Sequence, residues 1–99
     1  MLLNQLAHAR TGDKGNIVTI SLIAFRSEDF SLLEEKITAE RVAAHFSSLI
    51  EGPVQRYTLP QLSALNFVLH RPLSNSVTRS LALDAHGKCL ASALLALEI

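Results

Sequence analysis

The chain runs Arg10-Thr11-Gly12-Asp13-Lys14-Gly15-Asn16 and then, without a break, Ile17-Val18-Thr19-Ile20-Ser21-Leu22-Ile23-Ala24-Phe25. Two glycines, an Asp and an Asn within the first seven residues mark a turn with special backbone angles. The run that follows is rich in β-branched residues. One parity, Val18, Ile20, Leu22 and Ala24, is wholly apolar, while the other carries Thr19 and Ser21. That alternation describes a strand with one face in a core and one mixed face. Upstream, Leu2 to Ala9 reads as a second strand, so the Arg10–Asn16 loop is expected to join two strands.

Downstream, the period changes. Asp29 to Lys36 suits a short helix, and Thr38 is placed to cap a second one, with Glu40 in its first turn. Val42, Phe46, Leu49 and Ile50 then fall at i, i+4, i+7 and i+8, one apolar stripe, before Gly52 and Pro53 stop the helix. Val54 to Leu59 reads as a strand closed by Pro60. Leu65 to His70 reads as another, with Leu65, Phe67 and Leu69 on one face and Asn66, Val68 and His70 on the other. Ser74 to Val77 is expected as a loop or a single helical turn. Ser80 to Asp84, the turn Asp84-Ala85-His86-Gly87 and Lys88 to Leu97 are expected as a hairpin. Ala91, Ala93, Leu94, Leu95 and Ala96 also favour helix, but the tight turn before them argues for a strand.

Strands around one principal helix describe an α+β fold, a two-layer sandwich with a mainly antiparallel sheet. The chain has 99 residues, enough for a single domain, 1–99. It is 48% apolar and 18% charged, which excludes disorder by composition. For so few charges that is a large apolar share. A sheet covered by helices on one side leaves its other face half-apolar, so a second copy or another partner is expected to cover the open face or an edge.

Nine Lys+Arg balance nine Asp+Glu, so no basic excess points to nucleic acid or to an anionic membrane. A single cysteine, Cys89, leaves no internal disulfide and no Cys-based zinc site. With no cationic leader and no long apolar span, a reducing, cytoplasmic setting is expected.

The Arg10–Asn16 loop carries the most chemistry. Glycines three apart allow successive N–H groups to converge into an anion-binding nest, with Arg10 and Lys14 as cationic donors. The alternative is a plain β–β connection in which Asp13 and Asn16 bond their own backbone. The Gly-x4-Gly-Lys-Ser/Thr spacing of a phosphate loop is absent. Gly12-Asp13-Lys14-Gly15 matches the Gly-x-x-Gly that KH domains use to clamp a nucleic-acid backbone. There the loop joins helices, whereas here a β-branched run follows, and no nucleic-acid binding is expected. Asn66 stands in the apolar run Ala64–Leu69. A buried amide left unpaired costs about 1–3 kcal/mol, so its partner is expected to be backbone or a ligand at the sheet edge.

His8, His45, His70 and His86 share no metal-ligand spacing, and no metal is expected. His45 and His86 read as solvated; His8 and His70 lie near strand ends and can approach the loop. Cys89 has no activating context, and no serine sits in a Gly-x-Ser-x-Gly elbow. Asp84 and Lys88 flank the expected turn and are placed to pair or cap it. No catalytic constellation stands out, and no cofactor is expected.

Four signatures in order, Arg10-Thr11-Gly12-Asp13-Lys14-Gly15-Asn16, Tyr57-x-Leu59-Pro60, Ala64-Leu65-Asn66-Phe67 and Ser80-Leu81-x-Leu83-Asp84-Ala85-x-Gly87-Lys88, resemble the small C-terminal domain of AtuA-like proteins, named for acyclic terpene utilisation in bacteria. The resemblance implies a ferredoxin-like α+β fold and a setting near enzymes of acyl-CoA metabolism. It implies a domain that occurs fused behind a larger one or free-standing at about this length. It supplies no reaction. The positions it carries over are Arg10, Gly12, Asp13, Lys14, Gly15, Asn16, Asn66, Asp84, Gly87 and Lys88. Ser74-Asn75-Ser76 stands where that family's pattern is expected to be glycine-rich.

Three functions are therefore weighed. The first is a non-catalytic accessory module that associates with itself, as a homo-oligomer, or with a larger AtuA-like domain. The second is an anion site for a CoA-type phosphate or an acyl carboxylate, built from Arg10, Gly12, Asp13, Lys14, Gly15 and Asn16 with Asn66 as a neutral contact. The third is an enzyme whose site is completed across an oligomer interface by His8 or His70 with Asp13.

Overall fold

The computed structural model describes residues 1–47, 49–70 and 87–99. Strands β1 (Ala7–Lys14) and β2 (Ile17–Ala24) pair antiparallel, from Ala7 opposite Ala24 to Lys14 opposite Ile17. Only Gly15 and Asn16 remain as the turn. The expected Arg10–Asn16 loop is thus mostly strand, and the expected strand start at Leu2–Gln5 contains a 3-10 turn, Leu3–Gln5. Gly15 holds φ +66 and Asn16 keeps a negative φ. A turn that opens with a positive φ matches the strand twist, so two residues suffice and the ladder extends up to them.

Two further strands, β3 (Gln55–Leu59) and β4 (Ala64–His70), complete an antiparallel sheet of order β1-β2-β4-β3. They are joined by the 3-10 turn Pro60–Leu62 and by Ser63, whose φ of 52 lies in the left-handed region. Val18 stands opposite Leu69, Ile20 opposite Phe67 and Leu22 opposite Leu65, all buried on one face. The alternation read from the sequence places these side chains correctly.

Helices cover that face. Ser27–Asp29 forms a 3-10 turn that leads into α1 (Phe30–Lys36), and α2 (Ala39–His45) follows. Thr38 caps α2 as expected, its hydroxyl accepting from the Arg41 N–H at 3.1 Å. The helix is shorter than the apolar stripe suggested. It ends at His45, and the Leu49 N–H closes a turn on the Phe46 carbonyl at 2.8 Å. Val42 and Phe46 are buried, while Leu49 and Ile50 pack on the core from beyond the helix end.

The expected C-terminal strand is a helix, α3 (Gly87–Leu95). Leu90, Ala91, Leu94 and Leu97 are buried at i, i+1, i+4 and i+7, the period of a helix face. Alanine- and leucine-rich sequence favours helix intrinsically, and here a core face is available to bury it. The rest of the expected hairpin, Ser80–Asp84 and its turn, lies outside the described residues, as does the Ser74–Val77 loop. The helical layer is thus shared by α1, α2 and α3 among the described residues, and the fold is an α+β, ferredoxin-like, two-layer sandwich.

Phe30, Leu33, Ile37, Val42, Phe46, Leu90 and Leu94 meet the sheet in one cluster. Each fully buried large side chain contributes roughly 1.5–3 kcal/mol. Arg56 on β3 faces the same side, opposite Phe67. Its Nη1 donates to the carbonyls of Glu34 at 2.7 Å and Ile37 at 2.9 Å, satisfying the end of α1 and tying it to the outer strand. Arg41 likewise donates to the Glu98 carbonyl.

Candidate functional site

Among the described residues, no helix covers the other face of the sheet. Its residues follow from the register, because successive side chains alternate across a strand. Arg10 stands opposite Ser21, Ser21 opposite Asn66, and Asn66 opposite Tyr57. These four form one row across all four strands, at right angles to them. On one side of it lies the row His8, Ile23, Ala64 and Leu59; on the other lies Gly12, Thr19, Val68 and Gln55.

Within the central row, the Ser21 hydroxyl donates to Asn66 Oδ1 at 3.1 Å. Asn66, half-buried, therefore has a partner, and that partner is a side-chain hydroxyl from β2. With Oδ1 engaged, the Nδ2 donors and the Arg10 guanidinium have no partner among the described residues. Arg10 is exposed and Tyr57 is 51% exposed, so the row is bounded at both ends by long side chains.

The only carboxylate in the four strands belongs to Asp13, which pairs with Val18 near the end of β1. Among the described side chains, the open face holds Arg10, His8 and His70. The face is also apolar: Phe25 is 59% exposed, Leu59 38% and Ile17 40%, and Leu62 beside β3 is 66% exposed. His8 stacks on Phe25, with ring centroids 5.5 Å apart and planes at 20°.

The sequence-predicted site residues separate into groups. Arg10 and Asn66 share the central row, two strands apart. Gly12 lies in the next row along β1, where the Thr19 hydroxyl donates to its carbonyl at 3.3 Å. Asp13 and Lys14 end β1, and Gly15-Asn16 is the turn. Of the expected acid–base partners, His8 and His70 occupy open-face positions, on β1 and β4 respectively. His45 is exposed, as expected, and also pairs through Nε2 with the Ala93 carbonyl at 2.7 Å, linking α2 to α3. Gly87 and Lys88 open α3 rather than closing a hairpin; His86 and Asp84 lie outside the described residues. Ser21 and Tyr57 were not expected in the site. Their parity was readable, but the register that aligns them was not.

Among the described residues no three His, Cys, Asp or Glu side chains cluster to hold a metal ion. No helix among them is long and apolar enough to cross a membrane. Comparison with curated proteins and with solved structures found no match. The four signatures, the antiparallel sheet and the helical layer agree with a family model that matches residues 1–99, and the chain belongs to the AtuA ferredoxin-like domain family.

Proposed function

We propose that this domain is a non-catalytic accessory module that works by association, with the open face of its sheet as the contact surface. Its partner is a second copy or a larger AtuA-like domain, in the acyl-CoA or terpenoid catabolism that the resemblance implies. The observation that carries this reading is the composition of the open face. Exposed Phe25, Tyr57 and Leu59 surround a hydrogen-bonding row with no carboxylate among them. Solvent-exposed apolar surface that is contiguous and edged by polar donors is the mark of an interaction site.

The test is direct. The pure protein is examined for self-association and for binding to a purified larger AtuA-like domain, with Ile23→Lys as the variant that charges the middle of the face. Association that is lost in the variant supports the module. A strictly monomeric protein that binds no such domain removes it.

A second reading has its own observation. Arg10, Ser21 and Asn66 align donors on one row, and this supports an anion site for a CoA-type phosphate or an acyl carboxylate, reached from the Arg10–Asn16 segment. A thermal-shift series with phosphate, CoA and acyl-CoAs checks it. A ligand at a hundredfold over its dissociation constant stabilises by about 2.7 kcal/mol, and Arg10→Ala should abolish the shift.

A further inference from the structure

We infer that the occupant of the open face is a second copy of this chain, packed face to face about a two-fold axis parallel to the strands. This rests on the reading of the open face as a contact surface and names its partner.

Two sheets related face to face by a two-fold axis allow two simple arrangements. If the axis runs across the strands, β1 lies over β1 of the partner, and Arg10 meets the partner's Arg10 in the shared central row. Like charges are then opposed at the interface. If the axis runs along the strands between β2 and β4, the order β1-β2-β4-β3 is reversed in the partner. β1 then lies over β3, and β2 over β4.

The second arrangement is self-complementary at each row. Arg10 meets the ring of the partner's Tyr57, a cation over an aromatic face. Ser21 meets the partner's Asn66, whose Nδ2 donors have no partner among the described residues. In the adjoining row, Ile23 meets the partner's Ala64, a large side chain over a small one. In the other row, Gly12 meets the partner's Gln55. The cationic side of the face, on β1, thus lies over the neutral side, on β3, whose open-face residues are Gln55, Tyr57 and Leu59. No like charges are opposed in these three rows.

Area agrees with this occupant. Four strands, each about 4.8 Å wide and up to eight residues long at about 3.3 Å per residue, give a face of roughly 20 by 25 Å. That is about 500 Å² per protomer and about 1,000 Å² in all, the size of a weak, transient interface rather than a permanent one. A reversible dimer is the expected result.

The test is a charge-exchange series read by sedimentation equilibrium at loadings up to about 1 mM. Both Arg10 and Tyr57 are exposed, and circular dichroism checks that each variant keeps its fold. Tyr57→Lys places a lysine over the partner's Arg10 and should weaken dimerisation at least tenfold, as should Arg10→Glu. The double variant Arg10→Glu/Tyr57→Lys places a carboxylate over an ammonium at both ends of the row and should recover dimerisation. Within one chain the two positions lie three strands apart, so recovery reports the contact between copies. A double variant no tighter than the single ones overturns the arrangement, as does a dimer insensitive to either single substitution. A wild-type monomer at the highest loading overturns the dimer. If that monomer still binds the larger AtuA-like domain and Ile23→Lys abolishes it, the face is a contact surface with another occupant; if it binds nothing, both readings fall.

Discussion

Arg56, on the outer strand of the sheet, donates from Nη1 to the carbonyl of Ile37, the C-cap of α1, at 2.9 Å. The same nitrogen donates to the Glu34 carbonyl at 2.7 Å. A side chain of core-side parity on an edge strand thereby closes the end of a helix. It also turns its charge inward, so the edge gains a pinned, half-buried residue rather than a free cation.

Removing that tie has a defined consequence. Arg56→Met keeps the aliphatic stem and deletes the donors, leaving two carbonyls at the helix end without them. Hydrogen bonds from a charged group contribute about 1.5–3 kcal/mol, and the half-buried setting places the loss at about 2 kcal/mol. Arg56→Lys recovers part of it, because one ammonium cannot reproduce a planar fork. Urea denaturation of the three proteins should rank them wild type, Lys, Met.

Thr11 offers the opposite case. It faces the core side of β1, opposite Ile20, and its hydroxyl is buried without a hydrogen-bond partner among the described residues. Thr11→Val keeps the shape and removes the orphaned group, so stability should rise by about 1 kcal/mol. For a domain of this size that is about 4–8 °C in Tm, readable by calorimetry. A fall in Tm would mean that the hydroxyl is satisfied in solution.

The cap on α2 is a local device with a local effect. Thr38→Ala removes the acceptor for the Arg41 N–H and should lower stability by about 1 kcal/mol. Thr38→Ser, which keeps the oxygen, should lie close to wild type in the same melt.

Gly15 holds φ +66 with open space where a Cβ would stand. Gly15→Ala therefore meets strain rather than a clash, and should cost about 1 kcal/mol without disturbing the sheet. Gly12 differs: a Cβ there would lie 3.1 Å from Thr19 Oγ1, so Gly12→Ala asks that hydroxyl, which donates to the Gly12 carbonyl, to give by a few tenths of an ångström. Melts of the two variants, with amide exchange at Thr19, separate strain from displacement.

The helical state of α3 is checked by proline. Ala93 lies inside Gly87–Leu95, so Ala93→Pro removes a helical hydrogen bond and crowds the preceding turn, at about 3 kcal/mol. Tm should fall by well over 10 °C. A near-neutral substitution would count against a helix at that position.

Local sequence sufficed for whatever depends on neighbours along the chain. Alternation located β2 and β4 and the buried sides of both, since Val18, Ile20, Leu22, Leu65, Phe67 and Leu69 follow the period of a strand. Thr38 was readable as a cap because a cap needs only the three residues after it. Where two local preferences competed, context decided. Ala91 to Ala96 can serve a strand after a turn or a helix, and the core face available to Leu90 and Leu94 selected the helix. The length of β1 was also decided by its partner, because the Arg10–Lys14 backbone takes its ladder from Ile17–Ser21 despite turn-forming residues. The central row is the clearest case. Ser21 and Asn66 are 45 residues apart, and strand order and register, which no short window of sequence encodes, bring them within hydrogen-bonding distance and align Arg10 and Tyr57 at either end.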